Sequence, residues 1–458
     1  MSGIGLIIMF IVAVVIMILA ISKFKVHPFL AIMGVSLLLG MAAGIPLEEL
    51  PKTIGAGFSG TFTSIGIVII LGALIGIILE KTGAAVKLAD LVVKLVGKKR
   101  PELAILIMGW VVSIPVFCDS GFVILDPIRK AMRKRTQASS VAMTVALAAG
   151  LYVSHVFIPP TPGPIAAAGS VGLGENLLLI IGFGALVSIP ALIPAYFYAK
   201  YIGKKVKVSE DQDDAVVSKT YEQLVAEYGK LPSGLMALAP IVVPIILMTL
   251  GSVAAVLKWE GIVMSICTFL GNPMIALTIG LLFAIGILMS RKQLGEFNAL
   301  TNETLKVVGP ILFVTAAGGV LGKVITTAGF VDYIKDNASF LSVVGIFFPF
   351  LVAAILKTAQ GSSTVAITTT AAIMGSFAES GTMMAALGLT TPVAAALTVM
   401  AIGAGAMTVS HANDSYFWVV TNFGGMEPQE GYKTHTITTL IMGISSMIFI
   451  YILSLFLI

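Results

Sequence analysis

Charge is scarce in this sequence. Asp, Glu, Lys and Arg make up 11% of 458 residues, against about 25% in an ordinary soluble domain. That shortage excludes a solvated globular fold. There are two cysteines, Cys118 and Cys267, both in apolar surroundings. A disulfide framework and a cysteine metal site are thereby excluded. Of the four histidines, His155 and His411 have no partner at the spacing of a metal motif such as H-E-x-x-H, so neither a metal nor another cofactor is expected. The phosphate-cradling pattern G-x-x-x-x-G-K-[ST] is missing, which removes ATP as the energy source. The net charge of +5 comes from basic residues clustered at loop ends. Such clustering reflects membrane topology and gives no reason to expect a nucleic-acid partner.

What is abundant is apolar sequence. Hydrophobic residues reach 57%, and mean hydropathy is +1.03. Runs long enough to cross a lipid bilayer recur near 3–22, 26–45, 60–80, 138–172, 176–200, 234–257, 272–290, 307–327, 389–424 and 435–457. The first is read as a retained helix, because it is long and is followed by Lys23 and Lys25 instead of a cleavage signal. Basic clusters at 23–25, 98–100, 129–135, 204–207 and 291–292 can all be cytoplasmic only if residues 103–135 enter and leave on one side. This places both termini on the outer face of an inner (plasma) membrane.

The halves also resemble each other. "HPFLAIMG" (27–34) matches "NPMIALTIG" (272–280), "TGAAVKLAD" (82–90) matches "AGFVDYIKD" (328–336), and "VSH" occurs at 153–155 and 409–411. The expectation is an all-α polytopic membrane protein of two inverted-topology repeats, each of about five transmembrane helices plus one re-entrant hairpin. The first repeat is 1–201, with hairpin 103–135 and broken helix 138–172. A cytoplasmic linker, 202–233, carries the acidic stretch. The second repeat is 234–458, with hairpin 340–378 and broken helix 389–424.

Four polar breaks interrupt apolar blocks: "CDSG" (118–121), "HVFIPPTPGP" (155–164), "TAQGSST" (358–364) and "SHANDS" (410–415). Proline and glycine often do no more than kink a membrane helix. Four breaks at paired positions argue instead for unwound backbone around an enclosed polar site at the midplane, because lipid cannot satisfy free N–H and C=O groups. Ionisable residues at that depth are candidates for function. Lys357, the hydroxyls of Ser120, Thr161, Ser362, Ser363 and Thr364, the amides of Gln360 and Asn413, Gly121 and Gly361 at the tips, and the paired His155 and His411 suit a small anion rich in hydroxyl groups. Asp119 and Asp414 are the candidate proton carriers. Hydroxyls and unwound carbonyls would also serve a sodium-coupled carboxylate carrier or a cation/proton antiporter, and the residues alone leave these open.

The strings "SHVFIPPTPGPIAAAG" (154–169), "GSSTVA" (361–366) and "SHANDSYFW" (410–418) resemble the gluconate permease (GntP) family of the ion transporter superfamily, over nearly the whole chain. The resemblance implies import of gluconate or a related small sugar acid by proton symport. It also implies a homodimer and an elevator-type movement of the hairpins and broken helices. The chain departs from the family pattern at Asp119, where a Glu is usual, at Thr161, where a His is usual, and at Lys357, where an Arg is usual. Lysine lacks arginine's planar fork for a carboxylate, so the acid is gluconate or a shorter one.

Overall fold

The computed structural model of the protein describes residues 8–458 apart from 10–11, 14, 18, 21–22, 25, 97–99, 213–227, 258, 329–344 and 413. Among the described residues the regular elements are all helical, and there is no strand. Leaving single turns unnumbered, the first half contains α1 (Pro28–Ala42), α2 (Leu50–Thr61), α3 (Ile67–Lys81), α4 (Ala84–Val96), α5 (Pro101–Val112), α6 (Cys118–Thr136), α7 (Ser140–Phe157), α8 (Pro162–Ser170) and α9 (Leu177–Lys205). The second contains α10 (Gly234–Val256), α11 (Gly261–Gly271), α12 (Pro273–Ser290), α13 (Phe297–Thr327), α14 (Phe347–Gln360), α15 (Ser363–Met374), α16 (Pro392–Met407), α17 (Ser415–Phe423) and α18 (Ile437–Leu457).

Local chemistry accounts for many of these boundaries. Pro occupies the first turn of α1, α5, α8, α12 and α16, where its missing N–H costs nothing. The side chains of His27 and Asn272 accept from the second residue ahead, Phe29 and Met274, and so cap α1 and α12 in the same way. Among the described residues six stretches are long and apolar enough to cross a membrane, or seven if the pair Ile67–Lys81 and Ala84–Leu91, bent by 78°, is one span. Helices α5, α14, α15 and α16 are apolar but short. A spanning helix needs about 20 residues, so by length none of these four crosses a bilayer alone. Helices α4 and α11 lie where the sequence suggested no span.

The elements named from the sequence as hairpins and broken helices pack alike in the two halves. Helix α5 lies along α7, and α14 lies along α16. Each contact closes at a glycine: a Cβ on Gly150 would overlap the carbonyl oxygen of Leu106, and one on Gly405 would overlap that of Phe350. Small residues at such crossings let apolar helices approach closely where no hydrophobic effect drives them together. Helix α9 packs on α7 as α18 packs on α16. Helix α13 packs on α1, α2, α3 and α15 and crosses α15 at Gly318 and Gly322, both against Ala372.

The beginning of the linker is fastened to this assembly. Arg129 of α6 is fully buried and donates to Asp126 (2.7 Å), Glu210 (2.9 Å) and Ser140 (2.9 Å). Asp211 accepts from the Ser140 backbone N–H at 2.8 Å. Asp126, midway along α6, is therefore a partner of Arg129 and of Lys130. The Glu210 carboxyl is held below its ordinary range. Burial pushes it up, and the Arg129 charge with the hydrogen bonds from Arg129 and Ser140 outweighs that. The remainder of the acidic stretch, 213–227, lies outside the described residues.

Candidate functional site

The helix breaks fall at 113–117, 158–161, 361–362 and 408–414. The "CDSG" string thus forms the first turn of α6, not the bend before it. Phe117, in extended conformation, is the N-cap of α6. Ser362 caps α15 by accepting from the Val365 N–H at 3.2 Å, and Gly361 reaches the turn through a φ of +86° that a side chain would strain. Asp414 caps α17 by accepting from the Tyr416 N–H at 3.1 Å. Three helices therefore begin at neighbouring points, and all three N-termini border one cavity of about 450 Å³. Its wall includes Phe117, Cys118 and Asp119 from α6, Gly361 to Thr364 from the α14–α15 break, and Asp414, Ser415 and Tyr416 from α17. Val365 and Thr368 of α15, Tyr152 and His155 of α7, Pro310, Ile311 and Val314 of α13, and His27 complete it.

Several residues singled out from the sequence line this space: Asp119, His155, Gly361, Ser362, Ser363, Thr364 and Asp414. His155 is 5% exposed, its ring packs on Phe117, and its Nδ1 is buried with no hydrogen-bond partner among the described residues. A polar atom left so within a cavity wall is costly unless something else supplies the bond. Asp119 accepts from the Ser415 hydroxyl at 3.2 Å.

Others are engaged elsewhere. Thr161 Oγ1 lies 2.7 Å from the Ile158 carbonyl and 3.1 Å from that of His155, closing the end of α7. Ser120 donates to the Phe117 carbonyl, and Gly121 packs against Leu151. The His411 ring nitrogen Nε2 lies 3.0 Å from the Thr358 carbonyl, which ties the fourth break to the third. Gln360 ends α14, its side chain is not described, and Asn413 lies outside the described residues.

Lys357 is fully buried one step behind the cavity wall. Its ammonium donates to Asp414 Oδ2 and to the Gly361 carbonyl, both at 2.5 Å, and lies 5.8 Å above the Tyr152 ring. The pair is thus internally neutral, with its carboxylate facing the cavity. Asp414 Oδ2 also accepts from Ser410 at 2.5 Å. Ser410 in turn meets His435 Nε2 at 3.1 Å. His435 was not singled out from the sequence, although the polar string "YKTHT" (432–436) ahead of the last apolar run held a signal. His27, Tyr152 and Tyr416 were also missed. Each reads as an ordinary residue of its own helix, and only tertiary packing brings them to the cavity.

The sequence model described as GntP family permease matches residues 5–456. The chain is 33% identical to the inner membrane permease YgbN of Escherichia coli, over 98% of both chains. It is 29% identical to a gluconate permease of Pseudomonas aeruginosa, over 97% of this chain and 96% of the relative. It is 27% identical to the high-affinity gluconate transporter of Escherichia coli, over 95% and 96%. Among solved structures it resembles the Alcanivorax borkumensis YdaH transporter, with a TM-score of 0.64 and 13% identity over 94% of this chain and 98% of that one. It also resembles Neisseria gonorrhoeae MtrF, with a TM-score of 0.63 and 14% identity over 94% and 96%. At these identities the structural likeness speaks for the fold alone.

Proposed function

The chain belongs to the GntP family of permeases, a multi-pass membrane transport protein and not an enzyme, and on that premise we propose that it imports gluconate or a shorter sugar acid across the inner membrane together with a proton. The observation that carries this reading is the convergence of the α6, α15 and α17 N-termini on one cavity. Each helix N-terminus presents partial positive charge and free N–H groups. Three of them around a space of sugar-acid size make an anion site without requiring an unpaired cation. In this reading the substrate carboxylate sits at the first turn of α15, against Ser363 and Thr364. Asp119, His155 and the Ser362 hydroxyl take the substrate hydroxyls, which need donors and acceptors together.

The Lys357–Asp414 pair suggests how a proton would be coupled. An anion entering beside a neutral buried pair leaves the site with net negative charge in a medium that screens poorly. Protonating Asp414 removes that charge and frees the Lys357 ammonium to turn to the acid. One proton then accompanies each monovalent acid, and the loaded site carries the same net charge as the empty one. Asp119 remains a contact to substrate. The elevator movement and homodimer implied by the family resemblance belong to the same reading. The glycine-faced crossing of α13 on α15, where Gly318 and Gly322 both meet Ala372, is compatible with sliding.

Binding to the purified protein tests the anion site. Gluconate and hydroxy acids of decreasing length should raise the thermal unfolding temperature, and the neutral polyol of gluconate's length should not. Equal stabilisation by acid and polyol would refute a site built on helix N-termini.

A further inference from the structure

His435 is 1% exposed and sits in a π-helical turn, Tyr432–Thr436, that leads into α18. Such turns are uncommon and often mark functional positions. Here the turn directs the imidazole at the back of Asp414, away from the cavity. The hydrogen bonds then fix the polarity of the chain. Asp414 is paired with Lys357 and so accepts from Ser410. A serine hydroxyl has one proton to give. With that proton spent on Asp414, Ser410 Oγ can only accept at its 3.1 Å contact with His435, so Nε2 carries a hydrogen. The sequence of donors runs from His435 through Ser410 to Asp414.

We propose that His435 and Ser410 form a proton relay to Asp414 that bypasses the substrate cavity. The proposal rests on the sugar acid–proton symport reading and adds the route of the proton. A proton arriving at His435 Nδ1 forms a new N–H bond there. The Nε2 hydrogen passes to Ser410 Oγ, and the Ser410 hydrogen passes to Asp414 Oδ2. The products are neutral His435 in its other tautomer, an intact serine and a protonated Asp414, so exactly one proton has been taken up — the reverse sequence releases it.

The placement suits this traffic. Tyr432 and Lys433, three and two residues earlier, are exposed. At about 1.5 Å of rise per residue, His435 is less than one turn along the helix from these two exposed residues. The ionisable groups that face it are Asp414 and Lys357 beyond Ser410, Tyr152 of α7 and Tyr416 of α17 against its ring, and Lys433 on its own turn. Tyr198 of α9 is hydrogen-bonded to the Lys433 carbonyl. Thr439 accepts from the Ser410 N–H, and Thr436 donates to the Ser410 carbonyl, so the serine is held in register. A proton can therefore reach or leave Asp414 while an acid fills the cavity.

The test uses the full-length protein in proteoliposomes with labelled gluconate and an internal pH dye. His435→Gln keeps a donor for Ser410 but cannot pass a proton on, and Ser410→Ala removes the middle of the chain. Each should lower uptake driven by a pH gradient about tenfold or more relative to gluconate exchange at equal pH on both sides, and flatten the pH profile of uptake. His435→Gln with an unchanged ratio of driven uptake to exchange, and an unchanged pH profile, overturns the relay. Absence of gluconate exchange in the unmodified protein would instead overturn the transport reading on which the relay depends.

Discussion

Separating Lys357 from Asp414 should be far more damaging than removing both. Their contact is 2.5 Å, and the side chains are 0% and 6% exposed. Removing one member of a buried pair strands the other and costs about 3–5 kcal/mol, whereas removing both is often close to neutral. The surroundings set an order. In Lys357→Gln, Asp414 keeps the Ser410 hydroxyl and the Tyr416 N–H as donors. In Asp414→Asn, the lysine is left with neutral partners: the Gly361 carbonyl, the amide oxygen of the new side chain and the Tyr152 ring named above. Asp414→Asn should therefore be the less stable, near about 5 kcal/mol, with Lys357→Gln near about 3. The double variant should recover at least about 2 kcal/mol relative to the worse single one. Unfolding in detergent, followed at several denaturant or temperature points, gives the four corners of the cycle. Losses that simply add, to within about 0.5 kcal/mol, would mean that the two groups do not depend on each other. The charge-compensation argument would fall with them.

Three further outcomes are expected. His155→Phe preserves the packing on Phe117 but removes the unpartnered Nδ1, and should weaken gluconate binding by about 1–3 kcal/mol in calorimetry, with little change in melting temperature. Gly150→Ala and Gly405→Ala insert a methyl into the Leu106 and Phe350 carbonyls and should each cost about 1–3 kcal/mol of stability; wild-type melting curves for both would contradict the close crossings. The Glu210 carboxyl is held below its ordinary 4.5 when folded. It therefore contributes stability that is complete above that value and is lost as pH falls through the lower folded value. Glu210→Gln should be less stable than the parent at pH 7, and the gap should narrow as melting is measured at lower pH.

Helix ends were easier to read in the sequence than side-chain partnerships. Proline at 101, 162 and 392 fixes where α5, α8 and α16 begin, because proline's constraints act within a residue or two. The polar strings around 158–161, 361–362 and 408–414 coincide with breaks for the same local reason. The bend before α6 was displaced, since it falls at Pro115 and its neighbours while the polar letters lie just beyond, in the first turn of the helix. Lys357 shows the limit. Its burial and its depth were legible from the apolar block around it. Its partner, 57 positions away, was not, because nothing local distinguishes a lysine held by an aspartate from one awaiting an anion. His435 depends on a π-helical turn, which leaves no reliable mark on apolar periodicity.

Simultaneous measurement of proton and gluconate fluxes into proteoliposomes tests the central claim most directly. With a pH gradient imposed and sodium replaced by choline, gluconate should accumulate above its external concentration, with about one proton entering per acid and no dependence on membrane potential. Accumulation that required sodium, or gluconate entry without any proton movement, would contradict coupling through the Lys357–Asp414 pair.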